Sequence, residues 1–546
     1  MIAGRSATRA IVGSARRHST ALWIAAGVVV AMLLRAPWFD AALGRDEGGV
    51  AMVAREWGHA GPYAYGSLFL DRPPLLVELY RVFGADGATG IRVLGALAAA
   101  CLVTTTTLLA VKLAGRRAAP YAAVIAALLA SSFALKSVFT PAELLAAVPS
   151  SASVLLLVTA LQAETRRRFA LYAASGALAA TALLVKQSFG DALVAGAVAV
   201  LAAKLTGVTW RETTRRAAAY AGGVGAVAAA LAAWAIATHT SAGSIYYALF
   251  GFRLDAVHAL TSHAFGPRLT RLESPVLESG LAVVVLIAIA AIVRVKKQPV
   301  TRAALGAWLV AAAAGVLLGG SYWPHYLIAL ASIAAVGAAV ALASHPRIAV
   351  VGVGAMAAAA IAVAGPAAVH DSADTSNLSA VTVGDYLRAR AEPGATAYVL
   401  YADVNILYYS GLRPAFPYNW SLMMRAAPHA EAKLRSALAS PRRPTWLVEW
   451  QHTKAFGLDR SGATKRLVAT NYRRVATVCG HSLMLARGAS ARPIPAAMAS
   501  ESSCPTSSRI STSKIGSASA ASRSAPFAIS SRVTSSLTAP TAARNT

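Results

Sequence analysis

Gly44-Arg45-Asp46-Glu47-Gly48-Gly49 and, further along the same loop, Asp71-Arg72-Pro73-Pro74-Leu75 bound a hydrophilic stretch in a chain whose remaining segments are mostly apolar. The 546 residues are 56% hydrophobic and 14% charged, with a mean hydropathy of +0.54, which leaves too little polar surface for a soluble protein of this length. The loop is therefore read against a bilayer. It becomes the first outer loop, residues 38–90, of a multi-pass membrane protein.

A spanning helix takes about twenty mostly apolar residues. On that measure about eleven spans are expected, near 20–37, 91–111, 118–135, 142–162, 169–185, 190–205, 217–238, 276–293, 303–320, 326–343 and 348–368. Basic residues gather in every second connection: Lys112, Arg116 and Arg117; Arg166 to Arg168; Lys204, Arg211, Arg215 and Arg216; Arg294, Lys296, Lys297 and Arg302; then Arg347. This is the pattern of cytoplasmic loops, and one missed span would invert every later one. The net charge of +28, which in a soluble protein would point to nucleic acid, is accounted for by these clusters, so nucleic acid is rejected as a partner.

The start, with Arg5, Arg9, Arg16 and Arg17 ahead of Leu22 to Leu34, reads as a cytoplasmic N-terminus (1–19) and an uncleaved first anchor. The helical module runs over 20–370. Residues 371–487 read as a small extracytoplasmic α/β domain, with strands at Tyr398–Tyr401, Ile406–Tyr409 and Thr445–Val448 and helices at Val381–Arg390 and Ala430–Leu438. Beyond Gly488 the chain is rich in Ser, Ala, Thr and Arg, and 488–546 is expected to be disordered. The fold class is thus mostly α: a polytopic membrane bundle with a small outer α/β domain and a disordered tail. Three scattered cysteines, Cys101, Cys479 and Cys504, suggest no disulfide framework.

Four groups carry candidate chemistry. Asp46 and Glu47 follow the first span, and the helix-like Gly48 to Trp57 after them is amphipathic enough to lie along the interface with Met52, Val53 and Trp57 toward lipid. Solvated loop carboxylates are the bland alternative. Arg72 stands before two prolines that restrict its backbone, and its planar fork suits phosphate oxygens; a simple re-entry turn explains the motif equally well. Lys186 and, more weakly, Lys136 lie on the outer side, where lysine is disfavoured, although a snorkelling side chain would do the same. Tyr322, Trp323, His325 and Tyr326 form a late outer hairpin; the aromatics suit any interface, and His325 offers a ring donor.

Together with Arg92 at the start of the second span, these groups resemble the GT-C glycosyltransferases of the protein O-mannosyltransferase and aminoarabinose transferase type, over about residues 20–370. Arg45-Asp46-Glu47 and Arg72-Pro73-Pro74-Leu75 carry most of the likeness. The family more often has Lys in place of Arg72, and a bulky residue in place of Gly48-Gly49. The resemblance implies transfer of a single sugar from a polyprenyl-phosphate donor to a lipid, glycan or protein acceptor at the extracytoplasmic face of the cell membrane, with inversion. Asp46 would be the base and Glu47 would position the acceptor, or both would hold a divalent metal. Arg72, Lys186, His325 and Arg45 would bind the donor phosphate, with Asp71, Tyr322 and Tyr326 lining the site. No cofactor beyond the donor is implied with certainty, and no nucleotide-binding glycine loop occurs. A transporter or flippase, or an oligosaccharide polymerase or ligase, is the alternative; the first would place its charges at mid-span rather than at the outer ends.

Overall fold

A computed structural model describes residues 2–58, 64–261, 268–294, 298–370, 375–493 and 504. The bundle begins with α1 (Ile2–Arg35), the loop helices α2 (Arg45–Glu56) and α3 (Pro74–Phe83), and then α4 (Ala88–Ala114) and α5 (Ala119–Ala130). It continues through α6 (Ala142–Leu161), α7 (Thr165–Val185), α8 (Asp191–Leu205), α9 (Trp210–Ala237), α10 (Ala242–Tyr246) and α11 (Phe252–Thr261). After these come α12 (Glu273–Glu278), α13 (Leu281–Arg294), α14 (Pro299–Leu317), α15 (Ile328–Leu342) and α16 (Pro346–His370).

All eleven expected spans fall on helices, but they are unequal. Seven helices among the described residues are long and apolar enough to cross a membrane, and an eighth span is a pair bent by 79° between Glu278 and Leu281. The expected 118–135 span stops at Ala130, and the expected 190–205 span is a helix of 15 residues. The reason for the first is local. Ser137 Oγ donates to the Leu129 carbonyl at 2.7 Å and accepts from the Ser132 amide at 2.8 Å, so side-chain bonds replace the next helical turn. The guanidinium of buried Arg35 then donates to the carbonyls of Ser137 and Phe139, closing residues 131–139 into a compact turn.

The outer domain starts with α17 (Thr375–Arg390) and holds a five-stranded sheet in the order β2-β1-β3-β5-β4, built from β1 (Thr396–Val399), β2 (Arg413–Pro414), β3 (Trp446–Glu449), β4 (Tyr472–Val478) and β5 (His481–Ala486). β1 is parallel to β2 and β3, whereas β5 runs antiparallel to β3 and β4. The expected strand at Ile406–Tyr409 is instead α18 (Asn405–Ser410), since a short apolar run buried on all sides reads alike in either form. Three further helices follow: α19 (Ser421–Ala426) packs on α11 of the bundle and on α20 (Ala430–Ala439), and α21 (Ala463–Asn471) packs on α20 and on β4.

α2 does not lie on the membrane surface. Met52 and Val53 are fully buried and Trp57 nearly so, because α2 is clamped between α3 and α18. The two glycines make this possible. A Cβ on Gly48 would come within 2.5 Å of the Asn405 side chain, and one on Gly49 within 2.4 Å of the Trp420 ring. The bundle and the outer domain therefore share one apolar core, which runs from Ala31 through α2 to the sheet.

Most of the expected disordered tail lies outside the described residues. Residues 488–493 and 504 of it are described: Cys504 forms a disulfide with Cys479, at the turn between β4 and β5, with a Cα–Cα distance of 5.2 Å. The reading that the cysteines do not pair is corrected on this point. Denatured, unreduced protein is expected to take one alkylating group, on Cys101, and three after reduction; mass spectrometry of the intact chain distinguishes the two states.

Candidate functional site

Adjacent residues on a helix point about 100° apart, and the acidic pair at the start of α2 is divided accordingly. Glu47 turns into the protein. Its carboxylate forms an ion pair with buried Arg92 of α4, accepts the Thr140 amide at 2.7 Å and accepts the Gly44 amide at 3.2 Å as a helix cap. Asp46 turns toward a cavity of about 860 Å³, where its Oδ1 accepts the Trp420 indole N–H at 3.3 Å.

The cavity lies between the outer end of the bundle and the outer domain. Arg45, Asp46, Asp71, Arg72, Lys186, His325 and Tyr326 all line it, so most of the residues singled out in the sequence come together. Tyr322 does not. It is buried, and its hydroxyl donates to the Leu317 carbonyl at 3.0 Å, away from the cavity.

Two charge clusters form the floor. In the first, Asp71 sits between two arginines: Arg72 Nη1 lies 2.6 Å from Oδ1 and Arg253 Nη2 lies 2.9 Å from Oδ2. Burial alone would raise the Asp71 carboxyl, but Arg72, Arg253 and Lys186 together hold it below the ordinary carboxylate value. Its stabilisation is therefore complete at neutral pH and is lost only as acid carries the solution below that range. The Arg72 backbone is held in turn, its carbonyl accepting the Tyr65 hydroxyl at 2.7 Å, while Gln187 donates to the Asp71 carbonyl at 2.9 Å.

The second cluster centres on Glu143, in the first turn of α6. Its Oε1 is 2.9 Å from Lys186 Nζ and 3.9 Å from His325 Nε2. Lys186 also lies over the Tyr326 ring at 5.4 Å. Burial, and then neighbouring Arg72, pull the Lys186 ammonium below the ordinary lysine value, while Glu143 pulls it back. An arriving anion would act in the same direction as Glu143.

Arg45 faces the other way, into the roof. Its guanidinium grips Asp403 of the outer domain through Nε and Nη2 at 3.1 to 3.3 Å. Arg45 nevertheless lines the cavity and its side chain is 44% exposed, so Asp403 holds it at the edge of the same space. Glu47, likewise, has its carboxylate committed to three protein donors, so the pair Asp46 and Glu47 does not form a metal clamp. No cluster of three metal-ligating side chains occurs among the described residues.

Sequence reading missed Arg253, Glu143, Asp403 and Trp420. Two of these had a visible signal. Arg253, with Arg268 and Arg271, lies on the loop 239–275 assigned to the outer side, where the positive-inside rule disfavours arginine as much as it does lysine, and all three line the cavity. Glu143 is an acid opening an otherwise apolar span. Asp403 and Trp420 come from a domain whose contact with the bundle only folding reveals.

Neither a family model nor a curated protein matches the sequence. Solved structures do match in three dimensions. The aminoarabinose transferase ArnT from Cupriavidus metallidurans, solved bound to undecaprenyl phosphate, superposes with a TM-score of 0.59 at 15% identity, over 85% of this chain and 97% of that one. The chain has a GT-C-like fold. The Archaeoglobus fulgidus oligosaccharyltransferase AglB shares it more distantly. Its complex with an inhibitory peptide and a dolichol-phosphate gives a TM-score of 0.51 at 13% identity, over 79% of this chain and 69% of that one. The form tethered to an acceptor peptide gives 0.52 at 14%, over 84% and 72%.

The division of the acidic pair is testable by stability alone. Removing one partner of a buried ion pair costs about 3–5 kcal/mol, so Glu47→Gln or Arg92→Met should lower the unfolding temperature of the detergent-purified protein markedly, whereas Asp46→Asn should leave it nearly unchanged. Equal losses from Asp46→Asn and Glu47→Gln would contradict the arrangement.

Proposed function

We propose that the protein is a membrane glycosyltransferase that moves a single sugar from a polyprenyl-phosphate donor to an acceptor hydroxyl at the extracytoplasmic face of the cell membrane, with the N-terminus in the cytoplasm and the domain at 371–487 outside. The observation that carries this reading is the cavity itself, where an outward-turned carboxylate, Asp46, shares one space with Arg72, Lys186 and Arg253. Arg72 lies near enough to Asp46 to feel its negative charge.

In the proposed step the acceptor hydroxyl attacks the anomeric carbon while Asp46 takes its proton. The bond from that carbon to the phosphate oxygen breaks, and its electron pair passes to the lipid phosphate, which leaves as a more highly charged anion. Arg72, Arg253 and Lys186 stabilise the charge as it develops, in a site that excludes most water. Their carboxylate partners, Asp71 and Glu143, keep the three cations from repelling one another before the donor arrives. The structures solved with undecaprenyl phosphate and dolichol-phosphate support a lipid-phosphate donor.

Transfer of labelled sugar from synthetic polyprenyl-phosphate sugars by the purified protein tests the reading. Loss of a general base typically costs 10²–10⁴-fold, so Asp46→Asn is expected to reduce turnover by roughly 100-fold or more with little change in donor affinity. Full activity in that variant would remove the base assignment. Arg253→Ala and Arg72→Ala should instead weaken donor binding about tenfold or more, since each removes a charge-assisted contact to phosphate. Replacing Arg72 by Lys should recover part of the loss, because charge is restored without the planar fork.

A further inference from the structure

Beyond the donor clamp, the part of the cavity contributed by the outer domain has its own character. Four of its lining residues are Tyr401 and Asp403 of the loop after β1, Trp420 just before α19, and Phe456 of the short turn Ala455–Gly457. Phe456 is 43% exposed, an unusual degree for a phenyl ring inside a cavity. Three of the four also hold left-handed backbone conformations, with φ of 65° at Tyr401, 52° at Asp403 and 60° at Phe456. Such conformations are uncommon in residues other than glycine and gather where a ligand is held.

We infer that this roof is the acceptor subsite, and that it takes a sugar ring of a glycan or glycolipid acceptor. This rests on the transferase reading of the same cavity. An open aromatic face is suited to the C–H face of a pyranose or furanose, and planar charged groups beside it suit paired hydroxyls. The roof offers both: the Phe456 and Trp420 rings, and the half-exposed Arg45 guanidinium, anchored by buried Asp403. A peptide acceptor would call for unpaired backbone groups along an edge, and an aliphatic one for a continuous apolar wall, which Asp403 and Arg45 interrupt. A ring held there presents its hydroxyl to Asp46, because the Trp420 indole already touches that carboxylate. Trp420 is on this view a positioning residue for the base, and Phe456 a specificity residue for the acceptor.

The test uses the full-length protein in detergent without donor, titrated with methyl glycosides and their trisaccharides and followed by saturation-transfer NMR and tryptophan fluorescence. Wild-type protein should bind at least one member of the set. Phe456→Leu, which keeps apolar bulk but removes the ring, should weaken that binding about tenfold, and Phe456→Tyr should retain it. Equal binding by wild type and Phe456→Leu overturns the inference, as does binding of an acceptor peptide or a simple lipid with none of the glycosides. In the transfer assay the same variant should raise the acceptor KM while leaving the donor KM within about twofold. Glycoside binding without any sugar transfer from lipid-phosphate donors would remove the transferase reading and leave the subsite. Transfer with an unchanged acceptor KM in Phe456→Leu would do the opposite.

Discussion

The carboxylate of Glu47 is the constraint on which the site depends. Three stretches of chain distant in sequence meet on it: the start of α2 through the Gly44 amide, α4 through Arg92, and the turn after α5 through the Thr140 amide. A buried charge with one of these partners missing would cost several kcal/mol, so the three stretches hold together or not at all. Thr140 is held from two other sides, its hydroxyl on the Ile91 carbonyl at 2.9 Å and its own carbonyl by the Tyr80 hydroxyl. With Glu47 fixed inward, the helical repeat leaves Asp46 little choice but to face the cavity. Two neighbouring acids of the same type therefore do different work, one as a joint of the scaffold and one as an open group.

The floor of the cavity follows a related logic. A site that must accept a phosphate needs cations, yet several buried cations without an anion repel one another and lose their hydration. Asp71 between Arg72 and Arg253, and Glu143 beside Lys186 and His325, answer this by keeping each cation paired. The cations are held by acids too deeply buried to move, 5% exposed for Asp71 and 3% for Glu143, so an entering phosphate adds contacts on the open side of each cation rather than displacing a partner. The site is organised ahead of its ligand, which is the condition under which fixed charges contribute most to stabilising a developing anion.

Much of this was legible in the sequence, for identifiable reasons. The positions of all eleven helices followed from apolar length, and the loop from Asp46 to Arg72 stood out because charge is costly near a bilayer. Helix length was not legible where side chains intervene: Ser132 and Ser137 end α5 early by bonds within its own turn, which Arg35, 104 residues before Phe139, then closes. The same applies to Arg45 and Glu47, whose types suggested ligand binding. Their partners, Asp403 and Arg92, lie 358 and 45 residues away, and composition gives no sign of such pairing. Gly48-Gly49 was visible as a departure from the GT-C pattern, but its meaning, the close approach of Asn405 and Trp420, required the outer domain to be in place.

That close approach determines how the cavity is divided. The cations proposed to hold the donor belong to the bundle and to the loop before α3, whereas the Trp420 contact with Asp46 and the Arg45–Asp403 pair belong to the roof. For an inverting displacement, attack must come from the face opposite the departing group, so base and leaving-group clamp are needed on different sides of the anomeric carbon. A phosphate on the floor and an acceptor under the roof meet that requirement without any rearrangement of the helices. The outer domain is then not an appendage to a catalytic bundle. Joined to α2 across two glycines too small to keep it at a distance, it forms the wall that the Asp46 carboxylate touches.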